Sequence, residues 1–163
     1  AGKEKRIEAI KDSNIGAIGF LSAFVVSLLQ IAALIKLNSL TIIALPIAAF
    51  WGRCSPLWAI HKFEYLHKNK HFNHKRKWTG IKETFPSIII IILIILYILL
   101  AQNLPVDKHN LILFFISGAI PTLMVPNAIG NTLKGHCGDS YGASLVIVET
   151  ITLLFMAIIF KAI

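Results

Sequence analysis

Long apolar runs separated by short polar stretches set the pattern of this chain. A helix needs ~20 apolar residues to cross the hydrocarbon core of a bilayer. Five runs approach that length: about Ala17 to Leu37, Leu40 to Ile60, Ser87 to Leu104, Asn110 to Ile129 and Ala143 to Ile163. The expected fold is all-α, a polytopic integral membrane helical bundle of about five transmembrane helices. Residues 1–163 then form one membrane domain. Asn38 and Ser39 predict a tight turn between the first two spans. The second span carries Pro46, Arg53 and Pro56, which predicts a kinked or broken helix with its polar face turned inward. Pro121 and Pro126 interrupt the fourth span, and Pro86 opens the Ile-rich third. Residues 1–16 are a polar, helical lead-in, with Ile7 and Ile10 as a narrow apolar edge for the membrane interface.

Composition agrees with the pattern. With 56% hydrophobic and 15% charged residues and a mean hydropathy of +0.72, the chain holds more apolar surface than a soluble domain of this size needs. A net charge of +8 raises the possibility of nucleic acid, but the basic residues cluster at helix flanks, where they set topology. With the lead-in 1–16 cytoplasmic, the basic loop 61–85 and the Gly-rich loop 130–142 fall on the same side. That side carries twelve Lys/Arg and the other three. The expected setting is the inner membrane with these three segments cytoplasmic, a lipid bilayer as partner and no nucleic acid. Cys54 and Cys137 lie in unlike surroundings, so a disulfide is not expected.

The stretch with most chemistry is Lys134 to Ala143, with Gly135, Gly138 and Gly142. Such glycines permit tight turns, positive φ and close approach to a ligand, and a loop-to-helix junction suits a phosphate. A plain connector between two spans reads the same way. Asp139 and Asp12 are carboxylates suited to Mg²⁺, which commonly takes one or two carboxylates beside substrate phosphates. Asp12 or Ser13 is equally an N-cap for the first span. Arg53 and Glu149 are ionisable groups inside spans, each costing ~2.5–3.5 kcal/mol at the bilayer centre. They form either a structural pair or, in the case of Arg53, a phosphate contact. The loop histidines His61, His67, His71 and His74, with Cys137, match no tight zinc spacing. Lys75 to Trp78 reads as a headgroup or phosphate contact.

Taken together, these residues resemble the cobalamin synthase family, adenosylcobinamide-GDP ribazoletransferase. The resemblance rests on Ile10 to Gly19, on Leu45-Pro46 through Gly52-Arg53, and on Lys134 to Ala143 followed by Glu149. The last block is similar to the family's Gly-Gly-x-Thr-Gly-Asp-x-x-Gly-Ala, and departs from it with Lys134 for Gly and Cys137 for Thr. The family's upstream Asp-rich segment has no counterpart in these residues, so the chain reads as the C-terminal part of such an enzyme. The resemblance implies a membrane-bound transferase that joins α-ribazole, or its 5′-phosphate, to adenosylcobinamide-GDP with release of GMP. It implies Mg²⁺ held by Asp139 and Asp12. It also implies substrate phosphates met by Arg53, Lys134, Ser13, Gly135, Gly138 and Gly142, with Asp139 and Glu149 catalytic. Two other readings remain open at this point: a CDP-alcohol phosphotransferase acting on lipids, and a non-enzymatic transporter or structural subunit with Arg53 and Glu149 lining a path.

Overall fold

The computed structural model describes residues 16–66, 108–159, and positions 85, 86, 88, 89, 91–93 and 96 between them. The described chain is helical: α1 (Ala17–Leu37), a short 3-10 turn (Asn38–Leu40), α2 (Thr41–Lys62), α3 (Lys108–Ile116), α4 (Ala119–Leu133) and α5 (Gly138–Ile159). Among the described residues, three helical stretches, Ala17–Lys62, Leu111–Leu133 and Gly138–Ile159, are long and apolar enough to cross a membrane, and the first is divided by the turn at Asn38. Asn38 takes φ 47 and ψ -117, a positive-φ backbone outside the helical regions, and ends α1. The expected third span, Ser87 to Leu104, lies mostly outside the described residues.

α5 is the common partner, packing against α1, α2 and α4, whereas α1 and α2 scarcely touch. Gln30 Nε2 donates to Thr150 Oγ1 at 2.9 Å, and Ser144 Oγ donates to Ser55 Oγ at 3.0 Å. With Ala33, Leu37, Ala44, Ile47, Leu153, Met156 and Ala157 in one core cluster, these contacts set α1 parallel and α2 antiparallel to α5. The reason for close α2–α5 packing is legible in α2 itself. Ala44, Ala48, Gly52, Ser55 and Ala59 are all buried and recur at helical spacing, a stripe of small residues that lets two backbones approach. Large apolar side chains such as Phe20, Phe24, Ile42, Ile120 and Ile158 point outward, as lipid-facing positions do.

Several expected boundaries shift. α2 continues through Pro46 and Pro56 rather than breaking. Pro56 leaves the Gly52 carbonyl without its helical donor, and Ser55 Oγ fills the gap at 2.9 Å. The fourth span is instead two helices parted at Ser117 and Gly118. Trp51 fills that break: its Nε1 donates to the Phe115 carbonyl at 2.6 Å, and a Cβ at Gly118 would collide with its ring. Pro121 falls in the first turn of α4, where no N–H is needed. The segment 130–142 is not one loop, since only Lys134 to Cys137 lie outside helices. The N-cap of α1 is Gly16, whereas the sequence offers Asp12 or Ser13 for that place. Both of these lie outside the described residues, as do the lead-in, His67, His71, His74 and Lys75 to Trp78.

Candidate functional site

The site is built around the start of α5. α4 ends with Lys134 in the left-handed region, φ 59 and ψ 43, and its N–H returns to the Gly130 carbonyl. A side chain is uncommon there, which gives a physical reason for glycine at this position in the pattern the chain resembles. Gly135 takes φ 147, and a Cβ on it would meet the Glu64 carbonyl and the Leu66 side chain. It must be glycine because the segment after α2 runs alongside. The His136 N–H donates to the Glu64 carbonyl at 3.0 Å and the Leu66 N–H to the His136 carbonyl at 2.8 Å, a single parallel bridge. Phe63 lies where a Cβ on Gly130 would be.

Cys137 is the N-cap of α5, its carbonyl accepting from the Tyr141 N–H at 3.0 Å. Ser140, at the third helical position, reaches back: its Oγ accepts from the Cys137 N–H at 2.8 Å and lies 2.9 Å from the Cys137 carbonyl. This is one half of a capping box. The same hydroxyl lies 2.9 Å from His136 Nδ1, while His136 Nε2 donates to the Pro126 carbonyl at 2.9 Å. His136 is fully buried, its ring parallel to Tyr141 within 4° and edge-on to Phe63. Burial pushes the imidazole below its usual value, against a smaller upward pull from the Pro126 hydrogen bond. The neutral ring therefore carries its proton on Nε2.

Asp139 stands on the opposite side. It is exposed in the first turn of α5, where the helix dipole and unpaired N–H groups favour anions. Gly138 and Gly142 are helical rather than turn residues, and a Cβ on either would meet nothing within 4 Å. With Ala143 and Val146 they form an open strip along α5. Glu149 lies about 15 Å from Asp139 by helical rise. It packs where a Cβ on Gly52 would be, and its Oε1 lies 4.0 Å from Arg53 Nη1. Arg53 is exposed, not turned inward as expected, and its Nη1 also donates to the Ala49 carbonyl at 3.1 Å.

Of the expected site residues, Lys134, Gly135, Gly138, Asp139 and Gly142 thus gather at one end of α5, while Arg53 and Glu149 pair deeper along it. One ion cannot touch both groups. No group of three or more His, Cys, Asp or Glu side chains that could hold a metal occurs among the described residues. The exposed carboxylate of Asp139 fits the small protein share that Mg²⁺ takes when phosphates supply the rest. Sequence reasoning missed His136 and Ser140, although a His and a Ser four apart at a helix start were the available signal.

The family model for cobalamin-5-phosphate synthase matches residues 1–157. The chain belongs to that family. An adenosylcobinamide-GDP ribazoletransferase of Prochlorococcus marinus is 44% identical over 99% of this chain and 64% of its own length. The enzyme of that name from another strain of the same organism, MIT 9303, is 43% identical over the same shares. One from Thermosynechococcus vestitus is 29% identical over 93% of this chain and 58% of its own length. The chain thus spans 64% of the length of the two Prochlorococcus relatives. No solved structure matches it.

Proposed function

We propose that this chain takes part in joining α-ribazole, or its 5′-phosphate, to adenosylcobinamide-GDP. The ribose 3′-hydroxyl attacks the phosphorus linked to cobinamide. A new O–P bond forms, the diphosphate bond breaks, GMP leaves, and the hydroxyl proton passes to solvent. The observation that carries this reading is the family match over residues 1–157 together with relatives of that name. The open strip on α5 supports it. Such a transfer asks the protein chiefly for positioning and charge balance.

In this reading the bundle has about five crossings in the inner membrane. The basic loop 61–85 and the α4–α5 junction are cytoplasmic, as the distribution of Lys and Arg favours. Diphosphate oxygens lie against the first-turn N–H groups of α5, approached over Gly138 and Gly142. Lys134 balances their charge, and Asp139 with Asp12 would hold Mg²⁺. When bound, the ion would supply positive charge to balance the diphosphate and the departing GMP. Arg53 meets a more distant anionic group of the substrate, with Glu149 orienting it. Ser13 adds a hydroxyl from the lead-in.

Membranes carrying the protein are to be incubated with adenosylcobinamide-GDP and α-ribazole, and the products separated. Release of GMP with formation of adenosylcobalamin is expected. Turnover of a CDP-alcohol substrate instead would overturn the proposal.

A further inference from the structure

The proposed reaction leaves the best-connected polar cluster in the described chain without a part. His136, Cys137 and Ser140 are all buried, 0%, 1% and 7% exposed, and they flank Asp139 in sequence on both sides. An N-cap Ser, Thr or Asp would bond an N–H of its own first turn, but Cys137 offers only a thiol, a weak acceptor. What remains is the reverse bond, from the Cys137 N–H to Ser140 Oγ, and His136 Nδ1 fixes the direction of that hydroxyl. Through Nε2 the same ring is tied to the Pro126 carbonyl of α4. Tyr141 and Phe63 hold the plane of the ring, and the Glu64 and Leu66 backbone holds its Cα. Asp139 itself is exposed, and its place is set by the first turn that these bonds hold.

We propose that His136 and Ser140 are positioning residues that hold the first turn of α5, and with it Asp139 and the phosphate-facing N–H groups, in the register the transfer requires. The kinetic part of this inference rests on the transferase reading; the structural part does not. His136 does its work through Nδ1 and Ser140, and the bond to Pro126 is secondary.

Three variants separate these bonds. His136→Asn keeps a polar atom near the place of Nδ1. His136→Gln reaches instead toward the Pro126 carbonyl. Ser140→Ala removes the shared hydroxyl. In membranes carrying the protein, Ser140→Ala and His136→Gln should lower kcat about tenfold with KM for α-ribazole within about twofold, and His136→Asn should stay within about threefold of the parent rate. A purely structural role would reduce the amount of active enzyme in all three, His136→Asn included, and leave the rate per folded molecule alone. The same membranes are treated with a maleimide and modification of Cys137 is followed by peptide mass spectrometry. Cys137 should react slowly in the parent and in His136→Asn, and about tenfold faster in the other two as the first turn loosens. Parent-like kcat and alkylation in Ser140→Ala, or a His136→Gln enzyme better than His136→Asn, would overturn the proposal. Should the parent make no adenosylcobalamin, the transferase reading falls, and the alkylation series alone decides whether this pair holds the turn.

Discussion

The first two turns of α5 have two unlike sides. On one, His136, Cys137, Ser140 and Ser144 are buried and joined by hydrogen bonds to α2, α4 or each other. On the other, Gly138, Asp139, Gly142 and Ala143 are exposed, and added atoms at the two glycines would meet nothing. The same glycine-rich stretch therefore does two jobs. Gly135 is required by what the fold already contains, and Gly138 and Gly142 border space that the fold leaves free. A short segment can carry structure and ligand contact at once when helical rotation assigns alternate residues to each.

The largest effect should come from the open side. Asp139→Asn is expected to lower product formation about 100-fold while the melting temperature stays put, and a parent-like rate would remove Asp139 from the site. On the locked side, Gly135→Ala meets both a positive φ and the Glu64 carbonyl. It should cost about 1–3 kcal/mol of stability, read as a lower unfolding midpoint in detergent. Gly142→Ala tests the comparison in the other direction. It should gain about 0.5–1 kcal/mol as a helical replacement yet raise KM for adenosylcobinamide-GDP; unchanged KM would mean that nothing approaches there. Lys134→Gly relieves a left-handed side chain and should stabilise by about 1 kcal/mol, and a loss of stability would contradict the backbone assigned here.

The smallest effect is that of pH. Because burial lowers the folded pKa of His136, the unfolded chain binds the proton more readily. This group's contribution is complete above about pH 6.5 and is lost as pH falls through that value toward the folded pKa. Between about pH 7.5 and 5.5 the midpoint should drop by an increment that His136→Asn lacks, and parallel curves would assign the drop to another group.

The helices were legible because apolar runs of membrane length have few alternatives. Their ends were not. Gly138 and Gly142 read as turn residues, since isolated glycines weaken a helix, but burial of Ser140, Ser144 and Val148 against neighbouring helices outweighs that weakness. Pro56 suggests a broken α2 with its polar face, Arg53 included, turned inward, but the Ser55 hydroxyl meets the Gly52 carbonyl and the helix continues with Arg53 exposed. A lone histidine has no periodicity to betray it, so His136 became visible only when residues 63–66, Pro126 and Ser140 converged on it. Gln30 and Thr150 could not have been paired by pattern, being 120 positions apart.

The order of synthesis gives the central place of α5 a further meaning. α1, α2 and α4 leave the ribosome before the helix that joins them, and α1 and α2 have little hold on each other. Until Gly138 onward is made, the small-residue stripe of α2 has no counterpart and Gln30 has no Thr150. A stop codon ahead of α5 would therefore remove more than one helix's worth of protein. It would leave α2 and α4 holding each other through Trp51 and Thr122 but α1 without its main partner, as an arch that has lost its keystone keeps only one side standing.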